Sequence, residues 1–99
     1  MKMARTRSYK QTLEERLANP KEAAAYLNAA LEDADIRVFL VALRDVVDAY
    51  GGISALAEET DLNRESLYRT LSRQGNPTIV TLFEIFHTLG LQFKVQKAV

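Results

Sequence analysis

The sequence predicts an all-α fold: a compact bundle of five to six helices, followed by a short C-terminal extended segment. Three observations predict it. Apolar residues recur at i, i+3, i+4 and i+7 through most of the chain, the period of one helical face. Helix starts (Thr12, Asn19-Pro20, Asp35, Asn63, Thr78) and glycine stops (Gly51, Gly75, Gly90) cut that pattern into short lengths. Only Leu91-Gln92-Phe93-Lys94-Val95 alternates with period two, as a strand does.

Composition sets the bounds. At 99 residues, one domain able to bury a helical core without staples is expected. Apolar residues make up 47%, which excludes a disordered class. The absence of cysteine removes disulfides, thiolate catalysis and cysteine zinc sites together. The amino terminus has no long apolar run, so no membrane segment is expected and a cytoplasmic protein is.

The elements follow in order. Residues 1–8, with Lys2, Arg5 and Arg7, read as a basic flexible arm ahead of a single domain over 9–99. Thr12-Leu13-Glu14-Glu15 fits a capping box for a first helix ending near Ala18. Asn19 then caps a second helix, with Pro20 at its first position, running to about Ala34 with Ala23, Ala24, Leu27, Ala30 and Leu31 inward. Asp35 caps a third, Ile36 to Tyr50, whose stripe of Ile36, Phe39, Leu40, Leu43, Val46, Val47 and Tyr50 makes the spine of the core. Val38 and Val41 lie off that stripe. Gly51 stops the helix as an αL cap. At the far end, Gly75-Asn76-Pro77 turns the chain, Thr78 caps a last helix, and Ile79, Leu82, Phe83, Phe86 and Leu89 face inward before Gly90 ends it. The strand-like tail has three possible places: against the core, paired with its copy, or added to a partner's sheet.

Between Gly51 and Gly75 lies the stretch that bears on function. Ile53, Leu56, Ala57 and Thr60 share one helical face, Asp61-Leu62-Asn63 breaks the helix, and Asn63 caps a second one running to about Arg73. Leu67 and Leu71 point inward, Ala57 is small enough for a close crossing, and Leu62 fills the corner. This is a helix-turn-helix plan over 53–73. Any helical hairpin has such spacing; the outward face of the second helix separates the possibilities. Asn63, Arg64, Glu65, Ser66, Tyr68, Arg69, Ser72 and Arg73 lie on or near it. Arginine reads guanine, asparagine reads adenine, hydroxyls bond backbone oxygens, and Glu65 can accept from cytosine or pair with Arg69. Double-stranded DNA is the expected ligand.

These residues also resemble a known family. The run GGISALAEETDLNRESLYRTLSRQGNPTIVTLFEIFHTLGL is similar to lambda-repressor/Cro-type helix-turn-helix proteins, and within them to the addiction-module antidote group, the HigA-like antitoxins. The matching features are Gly51-Gly52, Ala57, Leu67-Tyr68, Leu71-Ser72, Gly75-Asn76-Pro77-Thr78 and Leu89-Gly90, with Ala24-Ala25-Tyr26-Leu27-Asn28-Ala29-Ala30 upstream. The likeness runs from about Asn19 onward. It implies a lambda-repressor-like domain that represses its own operon and neutralises a RelE/ParE-like toxin, usually an RNase, encoded beside it. One departure is Asp61, where many such motifs carry a glycine in αL; a Cβ there is expected to cost on the order of 1 kcal/mol.

Net charge is zero, unusual for a DNA-binding chain. The distribution is uneven: residues 11–50 carry Glu14, Glu15, Glu22, Glu32, Asp33, Asp35, Asp45 and Asp48 against Arg16, Lys21, Arg37 and Arg44. A solvated helical surface explains this; so does a basic second partner docked on the amino-terminal half through Tyr9, Leu13, Leu17 and Tyr26. A single short recognition helix reads few base pairs, so a homodimer on a roughly palindromic operator is expected, joined by the Val38/Val41 face or the Leu91–Val95 tail. His87 stands alone among apolar neighbours, and no nucleophile, metal set, cofactor loop or membrane anchor accompanies it; an enzyme is not expected. Three functions remain open: an operator-binding antitoxin, a stand-alone transcriptional regulator, and an interaction module that has lost DNA binding.

Overall fold

Side-chain caps set the helix boundaries. In the computed structural model, which describes residues 8–99, Ser8, Asn19, Asp35, Asn63 and Thr78 each hold extended backbone and accept a hydrogen bond from a first-turn N–H. They open α1 (Tyr9–Leu17), α2 (Pro20–Leu31), α3 (Ile36–Tyr50), α5 (Arg64–Thr70) and α6 (Ile79–Thr88); α4 (Ile53–Glu59) starts from Gly52 without a side-chain cap. The fold is all-α, and no strand forms among the described residues.

Two starts and stops differ from expectation. Helix α1 begins at Tyr9, not after Thr12, because Ser8-x-x-Gln11 offers the same reciprocal capping box one turn earlier. Thr12 then sits inside the helix, its hydroxyl donating to the Ser8 carbonyl at 3.2 Å. Ser8 therefore belongs to the domain; the rest of the expected arm, 1–7, lies outside the described residues. Helix α2 stops at Leu31, where Asp33 folds back and its Oδ1 accepts from the Asp35 N–H at 2.8 Å.

Helix α3 is the spine. Helices α1 and α2 pack on one side of it and α4 on another; α5 and α6 pack on α4. Phe39, Leu40, Leu43, Val46 and Val47 are buried as the stripe predicts, and Ala42 joins them. Ile36 and Tyr50, at the helix ends, overhang the core and are exposed. Leu31 does the same at the end of α2. At the end of α3 the Gly52 N–H reaches the Val47 carbonyl and the Gly51 N–H that of Asp48, a Schellman pair. Gly51 has φ +138°, well beyond αL, and Gly52 +95°, so both positions suit glycine alone.

Helix α6 corrects the expected inward face. Ile85, Phe86 and Leu89 are buried with Leu82 against them, whereas Ile79 and Phe83 are exposed. The segment Ile79–Phe86 is apolar on nearly every side, so two phases of the helical period fit it. Contact with α4 selects the phase 82, 85, 86, 89. The tail after Gly90 settles against the core, the first of its three places. Leu91 packs on the core, and the Phe93 ring stacks on Phe86 at 4.1 Å and on Phe83 at 4.9 Å.

Candidate nucleic-acid interface

The link between α4 and α5 is four residues, Thr60 to Asn63, ordered by local side-chain bonds. The Thr60 hydroxyl donates to the Leu56 carbonyl at 2.9 Å and accepts from the Leu62 N–H at 3.2 Å, while Leu62 itself packs on the core. Asn63 then caps α5, its Oδ1 accepting from the Ser66 N–H at 3.0 Å. No residue other than glycine has positive φ among the described residues, so Asp61 sits in the turn without the αL strain that its Cβ suggested.

Helix α5 has seven residues, too short to persist alone. Leu67, and Leu71 at its C-cap, are almost fully buried and hold it down. With that side fixed, Arg64, Glu65, Tyr68 and Arg69 face solvent, and Ser66 is half-exposed. The helix ends at Thr70, not near Arg73, so Ser72 and Arg73 lie in the following turn. There the Ser72 hydroxyl donates to the Arg69 carbonyl at 2.8 Å, and the Gly75 N–H to the Ser72 carbonyl at 2.9 Å. A Cβ on Gly75 would overlap the Thr70 carbonyl oxygen, so the turn needs glycine for close approach.

Electrostatics favour an anionic partner on this face. Arg64 and Arg69 pair with no carboxylate among the described residues; Arg69 Nη2 lies 3.4 Å from the Ser66 hydroxyl, and the expected Glu65–Arg69 pair does not form. Two cations of α3 border the same region. Arg44 lies over the Tyr68 ring, 5.4 Å from its centroid, and bonds Asp48 at 3.1 Å. Arg37 holds Asp35 through two nitrogens, at 2.9 and 2.8 Å. This pairing, then the Arg37 backbone N–H and more weakly the charge of Arg73, lowers the Asp35 carboxyl to about 2.

Arg44 was the residue missed by the sequence reasoning. Its signal was present: Arg37, Val41 and Arg44 share the face of α3 that the apolar stripe leaves out. Arg73 departs from the recognition face in another sense. It lines an apolar groove of about 450 Å³ with Tyr26, Ala30, Val38 and Val41, at the junction of α2, α3 and the α5 turn.

The expected amino-terminal docking side chains are mostly unavailable. Leu13 and Leu17 lie in the core, and the Tyr26 hydroxyl is bonded to Asp45 at 2.6 Å; Tyr9 alone is freely exposed. No helix among the described residues is long and apolar enough to cross a membrane.

A family model described as "Probable addiction module antidote protein" matches residues 7–97. A protein of Haemophilus influenzae described only as uncharacterized is 38% identical over 84 residues, which cover 85% of this chain and 86% of that one. No solved structure gives a significant match. With nearly the whole chain inside the family's span, this protein belongs to the probable addiction module antidote proteins.

Proposed function

We propose that this chain is the antitoxin of a toxin–antitoxin module, that it binds operator DNA through α4 and α5 in the lambda-repressor manner to repress its own operon, and that it neutralises a RelE/ParE-like toxin by direct binding. Membership of the antidote family supports the toxin half. The DNA half rests on one observation: the solvent face of α5 carries Arg64 and Arg69 without carboxylate partners, around a tyrosine that Arg44 covers. A short helix held by two buried leucines, with that face outward, fits a major groove. Asn63, Ser66, Ser72 and Arg73 are the accompanying polar contacts, and Glu65 is the one acid among them.

A homodimer is part of the proposal, since one seven-residue helix specifies few base pairs. If Arg44, Arg64, Arg69 and Arg73 each neutralise one phosphate per copy, log affinity should fall with log salt at a slope of about −7 for a dimer. Fluorescence anisotropy against DNA from upstream of the gene, beside a scrambled duplex, measures both quantities. Operator binding should exceed scrambled by about 10³ or more. Equal affinity for the two at every salt concentration refutes operator recognition.

A further inference from the structure

One helix face has no occupant in the domain. On α6, Ile79, Val80 and Phe83 are 61%, 66% and 56% exposed, at i, i+1 and i+4, so they form one outward apolar strip. Phe93, stacked on Phe83, extends the strip into the tail. Phe83 also borders an open cleft of about 530 Å³, whose other walls include Glu58, Glu59 and Asp61 from the α4 end and Glu84 and His87 from α6. None of the four carboxylates is ion-paired among the described residues; Glu59 only accepts a hydroxyl bond from Tyr50.

The acids of the amino-terminal half are different. Glu14 and Asp48 hold Lys10, Glu22 holds Arg16, Asp35 holds Arg37, Asp48 also holds Arg44, and Asp45 accepts from Tyr26. Their excess in the sequence is largely answered within the fold. The carboxylates without internal partners sit instead beside exposed apolar side chains, the combination that a basic protein surface fits.

We infer that the α6 face, from Ile79 and Val80 through Phe83 to the Glu58/Asp61/Glu84 cleft, is the docking surface for a basic protein partner; this rests on the proposed antitoxin reading, in which that partner is an RNA-gripping toxin. A protein that holds RNA must itself present cations, and these meet the acidic rim while its apolar side chains cover Ile79, Val80 and Phe83. A second copy fits poorly, because a two-fold contact brings the patch against itself and sets carboxylate against carboxylate. DNA is excluded for the same reason. The face therefore stays free while α5 occupies a groove, so one chain can hold operator and toxin together.

The test uses the full chain and, as probe, the purified protein encoded by the gene adjacent to this one. Val80→Lys and the pair Glu58→Lys with Glu84→Lys change exposed or half-exposed side chains only, and Glu22→Lys serves as the amino-terminal control. Val80→Lys should weaken probe binding about tenfold or more, and the charge pair should slow association about tenfold at low salt and flatten its salt dependence. Glu22→Lys should leave both unchanged, and all variants should keep operator affinity within about twofold. Unaltered probe affinity in Val80→Lys and the charge pair overturns the docking surface while leaving the antitoxin reading intact. A loss of dimer by sedimentation in Val80→Lys also overturns it, because the strip would then join two copies. Failure of the unaltered chain to bind the probe removes the toxin half of the proposed function, and this surface with it.

Discussion

Replacing Tyr26 by phenylalanine tests how α2 is fastened to α3. The Tyr26 hydroxyl donates to Asp45 Oδ2 at 2.6 Å, and the ring lies beneath Arg16, whose guanidinium is 5.9 Å from its centroid. Tyr26→Phe keeps the ring and removes the bond alone. A buried hydrogen bond to a charged acceptor contributes about 1.5–3 kcal/mol, but both groups here are half-buried and water can replace part of it, so the loss should be about 1 kcal/mol. For a domain of this size that lowers Tm by roughly 4–8 °C. The pH dependence gives an independent check. Burial first, then the bond to Asp45, pushes the phenol from its usual 10.0 up to about 12. The protonated phenol is thus favoured in the folded state, so its stabilisation is complete below pH 10 and is lost as pH rises from 10 toward 12. The gap between wild type and Tyr26→Phe should narrow over that window. Tyr50, whose phenol is also raised, titrates in both proteins and cancels. Thermal melts by circular dichroism at stepped pH measure the gap. A Tm at pH 7 within about 1 °C of wild type, or a gap that stays constant through pH 12, refutes the reasoning.

Arg69→Ala should cost roughly 1–3 kcal/mol on the operator and relax preference at one base pair, whereas Arg73→Ala should weaken operator and scrambled DNA alike; equal losses on both DNAs for Arg69→Ala exclude base reading. Arg44→Gln should lower affinity for every sequence and reduce the salt slope by about one; an unchanged slope would confine Arg44 to Tyr68 and Asp48. Asn63→Ala should cost about 1 kcal/mol through the lost cap, seen as faster amide exchange in α5, and wild-type exchange there would show that Leu67 and Leu71 suffice. Gly75→Ala should lower both Tm and operator affinity, because its Cβ displaces the end of α5; a melt matching wild type would mean that the turn yields freely.

The parts of the fold legible in sequence are those set by local chemistry. Asn19-Pro20, Asp35, Asn63 and Thr78 each begin a helix where their side chains predict, and α3 has its expected bounds. Errors arose where two local solutions compete. Ser8-x-x-Gln11 and Thr12-x-x-Glu15 are both capping boxes, and only one can start α1. Ile79–Phe86 admits two helical phases, and the choice rests on α4, a contact that no local pattern encodes. The candidate site divides in the same way. Leu67 and Leu71 fix the outward face of α5 from sequence, but Arg44 reaches Tyr68 only because α3 passes alongside, a tertiary fact.

The zero net charge then ceases to count against DNA binding. A phosphate responds to charges within about one Debye length, roughly 10 Å at 0.1 M salt, rather than to the total. Along α5 the local balance changes. Its start holds Arg64 beside Glu65, with Asp61 one turn back, and these acids offset the pull of Arg64. Its other end holds Arg69, with Arg44 over Tyr68 on the flank and Arg73 in the next turn, and only Asp48 opposes them there through its bond to Arg44. Phosphate attraction should therefore concentrate at the end of α5 and along α3. The start of the helix, with Asn63, Arg64 and Glu65 offering both donors and an acceptor, is left to discriminate bases, where net attraction matters less than the pattern of hydrogen bonds.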